Sequence, residues 1–85
     1  MTENIKLKII TFEGVLFSGD VSEIIVPTDN GQITVLPNHI PLISKVREGT
    51  LVLRTGKDEK KFSISSGVLE VRPKSEVYLL VDTAS

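Results

Sequence analysis

A single alanine, Ala84, stands against ten valines, nine isoleucines and seven threonines in this chain of 85 residues. Branching at Cβ restricts χ1 and crowds the preceding turn of a helix, yet it suits a side chain to the pleated, half-buried surface of a sheet. A domain built around helices would use alanine several times more often. The composition therefore predicts an all-β fold.

Periodicity points the same way. Ile5, Leu7 and Ile9 alternate with Lys6 and Lys8, Leu51 and Leu53 with Thr50 and Arg54, and Phe62 and Ile64 with Ser63 and Ser65. Six glycines punctuate the chain, and nearly every interval between them holds one apolar stretch of strand length. Strands are expected near Asn4–Thr11, Val15–Ser18, Val21–Pro27, Gln32–Leu36, Leu42–Arg47, Thr50–Thr55, Lys61–Ser65, Val68–Arg72 and Val77–Asp82. Asp29-Asn30-Gly31 offers the positive-φ residues of one hairpin, Thr55-Gly56-Lys57-Asp58 forms a polar second, and Pro73 presets φ in Arg72-Pro73-Lys74-Ser75. Most strands should pair antiparallel.

So many short strands cannot hide their apolar faces in one open sheet. Two antiparallel sheets packed face to face, a flattened β-sandwich or barrel, is the expected architecture, and the length allows one domain. Ile24-Ile25-Val26 and Val77–Val81 break the alternation. They suit central strands covered on both faces, the favoured reading, or a surface that a partner covers.

Chemistry is hard to find. With no cysteine and one histidine, His39, neither a thiolate zinc site, nor an Fe–S cluster, nor a His-rich metal centre can be built. Ser65-Ser66-Gly67 lacks a G-x-S-x-G elbow, and the five-residue spacing before Gly56-Lys57 that a phosphate loop needs is absent. Lys57 sits where a lipoyl or biotinyl lysine would, but without the flanking signature. The mixed-sign run Lys57-Asp58-Glu59-Lys60-Lys61 reads as a solvated hairpin tip. Ten basic residues against eleven acidic ones leave no footprint for nucleic acid. A glycan-binding module would show aromatic platforms, whereas this chain has no Trp and one Tyr, Tyr78, which its apolar run places in the core. No apolar run is long enough to span a bilayer, and Met1-Thr2-Glu3-Asn4 does not open a secretory signal. An intracellular protein is expected, with membrane association only through a partner.

One segment is unusually rigid. Three prolines and a hairpin glycine constrain Pro27 to Leu42, and Pro37 and Pro41 bracket His39, pushing Asn38 and Ile40 into extended or turn geometry. Here His39 suits a corner histidine bound to nearby backbone carbonyls, which is favoured, or a direct partner contact.

Phe17-Ser18-Gly19-Asp20-Val21, the Gly31–Leu42 stretch ending in Pro37-Asn38-His39-Ile40-Pro41-Leu42, Ser66–Val71 and Val81-Asp82-Thr83-Ala84 together resemble the N-terminal domain of the ε-subunit family of F-type ATP synthases, called δ in mitochondria. The resemblance covers essentially the whole chain, residues 1–85. It implies a flattened sandwich of about ten strands at the foot of the central stalk, a rotor part with no catalytic residue, cofactor or metal. Its partners would be the γ subunit, the c-subunit ring and, through γ, the catalytic α/β head. Rotation of the c ring, driven by a proton or sodium gradient, would pass through it to γ and to ATP synthesis. It would lie on the cytoplasmic face of a bacterial inner membrane, reaching that membrane only through the c ring.

By the same resemblance, Asp29, Asn30, Gly31 and Gln32 form the tip that touches the c-ring loops, and Pro37, Asn38, His39 and Pro41 form the corner near γ and the c ring. Some family members carry glutamate where this chain has Gln32, so Asp29 is expected to supply the charge instead. Relatives usually continue past the position of Ala84 into a two-helix C-terminal domain. This chain ends at Ser85, so regulation by that route is not expected.

Overall fold

The alternation resolves into nine strands and one 3₁₀ turn in the computed structural model, which describes residues 4–85. They are β1 (Ile5–Thr11), β2 (Gly14–Val21), β3 (Glu23–Thr28), β4 (Gly31–Val35), β5 (Leu42–Val46), β6 (Gly49–Thr55), β7 (Asp58–Ile64), β8 (Gly67–Arg72) and β9 (Glu76–Val81), with the turn at Pro73–Ser75. All belong to one curled sheet of order β2-β1-β9-β8-β5-β3-β6-β7, with β4 attached to β3. Every neighbouring pair is antiparallel except β1 and β9, which run parallel with Leu7 opposite Val77 and Ile9 opposite Leu79.

The expected sandwich arises because this sheet folds on itself. Between β3 and β5 the register holds one pair, Thr28 opposite Val46. At that joint the half-sheet β2-β1-β9-β8-β5 turns into the half-sheet β4-β3-β6-β7. On the other side the chain end closes against β7: Ser63 N donates to Ser85 O at 2.8 Å, Ser85 N to Ser63 O at 3.0 Å, and Ser65 N to Thr83 O at 3.1 Å. This tail fills the place of a tenth strand.

Sixteen aliphatic side chains from both halves form the core, so each half buries the alternate residues that period two predicts. No aromatic ring is in that layer among the described residues. Phe17 and Phe62 pack at its margin, and Tyr78, expected in the core, is half-buried with the Arg72 guanidinium 4.5 Å above its ring. Its position explains the difference: Val77, Leu79 and Val81 take the inner face, which leaves Tyr78 on the outer one. The Val77–Val81 run is therefore a strand with one buried face.

Several boundaries move for local reasons. The second strand runs through Gly19 to Val21, because the bend falls at Ser22, whose N–H and hydroxyl both donate to Arg54 O, at 2.7 and 2.8 Å. The charged run is not a loop. Only Gly56 and Lys57 turn, with Gly56 at φ 63, and Asp58–Lys61 pair with β6 from Thr55 back to Val52. In the Asp29-Asn30-Gly31 turn the positive φ is carried by Gly31 alone, at 107.

Candidate partner interface

Three surface features have a built geometry. The first is the tip between β3 and β4, where Asp29, Asn30, Gly31 and Gln32 are all exposed. Its root is Thr28, whose hydroxyl donates to Gly31 O at 2.6 Å and accepts from Asn30 N at 3.2 Å. Asp29 N donates to Lys45 O at 3.2 Å and Arg47 N to Pro27 O at 2.9 Å, so the tip is also tied to the neighbouring strand.

The second is the corner at 36–41. His39 N donates to Leu36 O at 3.1 Å across Pro37 and Asn38, and Asn38 has φ 65. Proline at the second position and a left-handed residue at the third are the marks of a type II turn, which asparagine tolerates better than most residues. Asn38 N donates to Ser75 Oγ at 2.8 Å, and that hydroxyl donates to Asn38 Oδ1 at 3.3 Å. The corner is thereby fastened to the β8–β9 turn, where Lys74 and Ser75 are themselves left-handed at φ 67 and 58. His39 is half-buried and its Nδ1 donates to the Ile40 carbonyl at 2.7 Å, the backbone-satisfied corner histidine that the sequence favours. Ile40 beside it is 74% exposed.

Tip and corner are not one site. They lie at opposite ends of β4, whose five residues span about 17 Å. The register places the tip at the end of the molecule that holds the β1–β2 turn, and the corner at the end that holds the β8–β9 turn.

The third feature was only partly visible in the sequence. On the outer face of the first half-sheet, Val15 lies opposite Ile10, Ile10 opposite Leu80, and Leu80 opposite Val68, a stripe that crosses β2, β1, β9 and β8. Val15, Leu80 and Val68 are 58%, 45% and 41% exposed and Ile10 is half-buried; on β5 Lys45 lies opposite Val68, and exposed Ile43 lies opposite Glu70 on the same face. The signal was present as adjacent apolar pairs, Ile9-Ile10, Val68-Leu69 and Leu79-Leu80, since two consecutive apolar residues in a strand commit one to each face. Beside the stripe the face carries Tyr78 and an ion pair: Arg72 Nε lies 3.1 Å from Glu70 Oε2, and Glu70 is the first cause of a raised Arg72 pKa. The outer face of the second half-sheet carries Ile25 opposite Val52, both half-buried, beside an ionic cluster in which Arg54 lies between Glu23 at 3.5 Å and Glu59 at 3.2 Å.

Among the described residues no group of three or more histidines, aspartates and glutamates gathers as metal ligands, and no helix is long and apolar enough to cross a membrane. The described surface thus combines a braced tip, a braced corner at the opposite end and an apolar stripe on one outer face. Residues 4–85 match the family described as ATP synthase, Delta/Epsilon chain, beta-sandwich domain, and the chain belongs to it.

Relatives named ATP synthase epsilon chain include those of Alkalihalophilus pseudofirmus, 35% identical over 94% of this chain and 59% of its own length, and Hydrogenovibrio crunogenus, 37% identical over 99% and 58%. That of Bordetella avium is 38% identical over 89% of this chain and 54% of its own length. This chain thus spans between half and three-fifths of the curated relatives it matches. The fold recurs in a chain of the Euglena gracilis mitochondrial ATP synthase, OSCP/F1/c-ring, by cryo-EM (TM-score 0.92, 21% identity, 96% of this chain and 52% of that one). It recurs again in the Tetrahymena thermophila mitochondrial ATP synthase central stalk/c-ring (TM-score 0.84, 13% identity, 99% and 67%).

Proposed function

We propose that this domain is the N-terminal unit of a central-stalk rotor subunit, which transmits c-ring rotation to the γ subunit without performing chemistry itself. The observation that carries the reading is the apolar stripe Val15–Ile10–Leu80–Val68, a solvent-facing surface that a partner would bury on a domain of this family. In this reading the stripe and Ile43 face γ, the tip Asp29–Gln32 touches the polar loops of the c ring, and Pro37, Asn38, His39 and Pro41 brace the opposite end. The domain reaches the cytoplasmic face of a bacterial inner membrane through the c ring. The names of the bacterial relatives support membership of such a complex.

Cysteine crosslinking in assembled membranes tests the placement. Gln32→Cys should crosslink to a cysteine in the c-ring loop, whereas Lys57→Cys should not, because the β6–β7 turn lies at the end of the second half-sheet away from the tip. Crosslinking from Lys57→Cys and none from Gln32→Cys would overturn it.

A further inference from the structure

Thr28 is the one buried polar side chain among the described residues, 2% exposed in a core otherwise made of aliphatic groups. Burying a hydroxyl is costly unless it is hydrogen-bonded, and both of its bonds go to the tip, to Gly31 O at 2.6 Å and from Asn30 N at 3.2 Å. The same residue is the register partner of Val46, the single pair between β3 and β5, where one half-sheet turns into the other. From there one rung continues across the first half-sheet: Val46 lies opposite Gly67, and Gly67 opposite Val81. β9 passes so close at Gly67 that no side chain fits there, since an added Cβ would overlap the Leu80 carbonyl oxygen.

Resting on the c-ring reading above, we propose that the Thr28 hydroxyl is the positioning group of the tip, fixing the shape of residues 29–32 on the joint between the half-sheets so that their contact depends on it. A load applied at Gln32 then passes through the turn to Thr28 and into that rung, alongside the Asp29 N–Lys45 O and Arg47 N–Pro27 O bonds that tie the root of the tip to β5. The chain contains a control. Thr11 makes the same pair of bonds, its hydroxyl donating to Gly14 O and accepting from Glu13 N, both at 3.2 Å, in the exposed β1–β2 turn. The pattern recurs, but the other copy is not the register partner that joins the half-sheets.

Thr28→Val keeps the shape and removes the hydroxyl, leaving Asn30 N–H and Gly31 C=O to water at the exposed tip. Amide exchange at Asn30 in the whole chain should accelerate about tenfold. In assembled membranes, the crosslink yield of Gln32→Cys to the c-ring loop should fall by half or more. Thr28→Ser should restore both, and Thr11→Val should change neither. Should Thr28→Val fail to fold, Thr28→Ala reads the same two quantities. Unchanged exchange at Asn30 overturns the proposal, and so does fast exchange with an undiminished crosslink. If Gln32→Cys fails to crosslink even beside Thr28, the c-ring reading falls, while the exchange measurement still decides whether Thr28 holds the tip.

Discussion

Glycine is required here for two different physical reasons, and substitution separates them. At Gly67 the constraint is space: an added Cβ would overlap Leu80 O and come within 2.8 Å of Val81 Cγ1, and a backbone atom cannot swing aside. Gly67→Ala should cost about 3 kcal/mol, in the upper range for overpacking, read as a lower urea midpoint at an unchanged slope. At Gly31 nothing lies within 4 Å of the added methyl, and the penalty is conformational, since φ is 107. Gly31→Ala should cost about 1–2 kcal/mol. Both glycines were legible in the sequence as punctuation, but Gly67 was not legible as a contact. Nothing local to Ser66-Gly67-Val68 says that β9 passes close enough to forbid a side chain. His39 is the opposite case: its flanking prolines dictated a corner, and a corner supplies the carbonyl that its ring finds.

Edges govern behaviour at the level of the strand. β2 and β7 end the sheet order, and an unpaired strand edge is a template for association unless something blocks it. On β7 the chain end covers Ser63 to Ser65, and the remainder is blocked by composition, Asp58-Glu59-Lys60-Lys61, with Glu59 held between Arg54 and Lys61 at 3.2 and 3.7 Å. The pairing raises the pKa of the exposed Arg54, through the hydrogen bond to Glu59 first and the charge of Glu23 next. A value raised on folding is a contribution kept below the ordinary arginine range and lost only above it, so the arginine side of this cluster does not titrate near neutrality. Replacing both charges, Lys60→Val with Lys61→Val, should leave the melting temperature within a few degrees yet increase light scattering on incubation at neutral pH. The same strand shows where sequence reading stopped short. A run of charges ordinarily means a loop, but the first half of this strand runs beyond the core with Asp58, Glu59, Lys60 and Lys61 all exposed, so neither of its faces has to be apolar there. Elsewhere period two located nearly every element. The parallel β1–β9 pair, the fold at Thr28 and Val46, and the passage through Gly19 depended on contacts between residues far apart in the chain, which no local window contains.

As a whole the molecule is a block 35 Å long whose two outer faces differ in how far their apolar side chains are exposed, Ile25 and Val52 half-buried on one and Val15, Leu80 and Val68 exposed on the other, and the difference makes a directional prediction. On the second half-sheet the outward residues around Arg54 satisfy one another as ion pairs, which on an exposed surface contribute little and need no partner. On the first half-sheet the stripe has no such internal resolution. Exposed Val15, Leu80 and Val68, aligned with half-buried Ile10 across four strands, lose contact with water only when another surface arrives. If that surface is γ, changing the stripe should separate folding from assembly. Val68→Thr with Leu80→Gln alters two side chains that are each more than two-fifths exposed, so unfolding free energy should drop by no more than about 1 kcal/mol. Binding to γ should weaken by tenfold or more, the effect of removing apolar anchors from the centre of a contact. Thr50→Gln on the outer face of the second half-sheet should weaken it by less than twofold. Calorimetric titration of γ with each variant, beside a melting curve for each, reads both quantities. Tight binding by the folded stripe variant would move the γ contact elsewhere on the molecule.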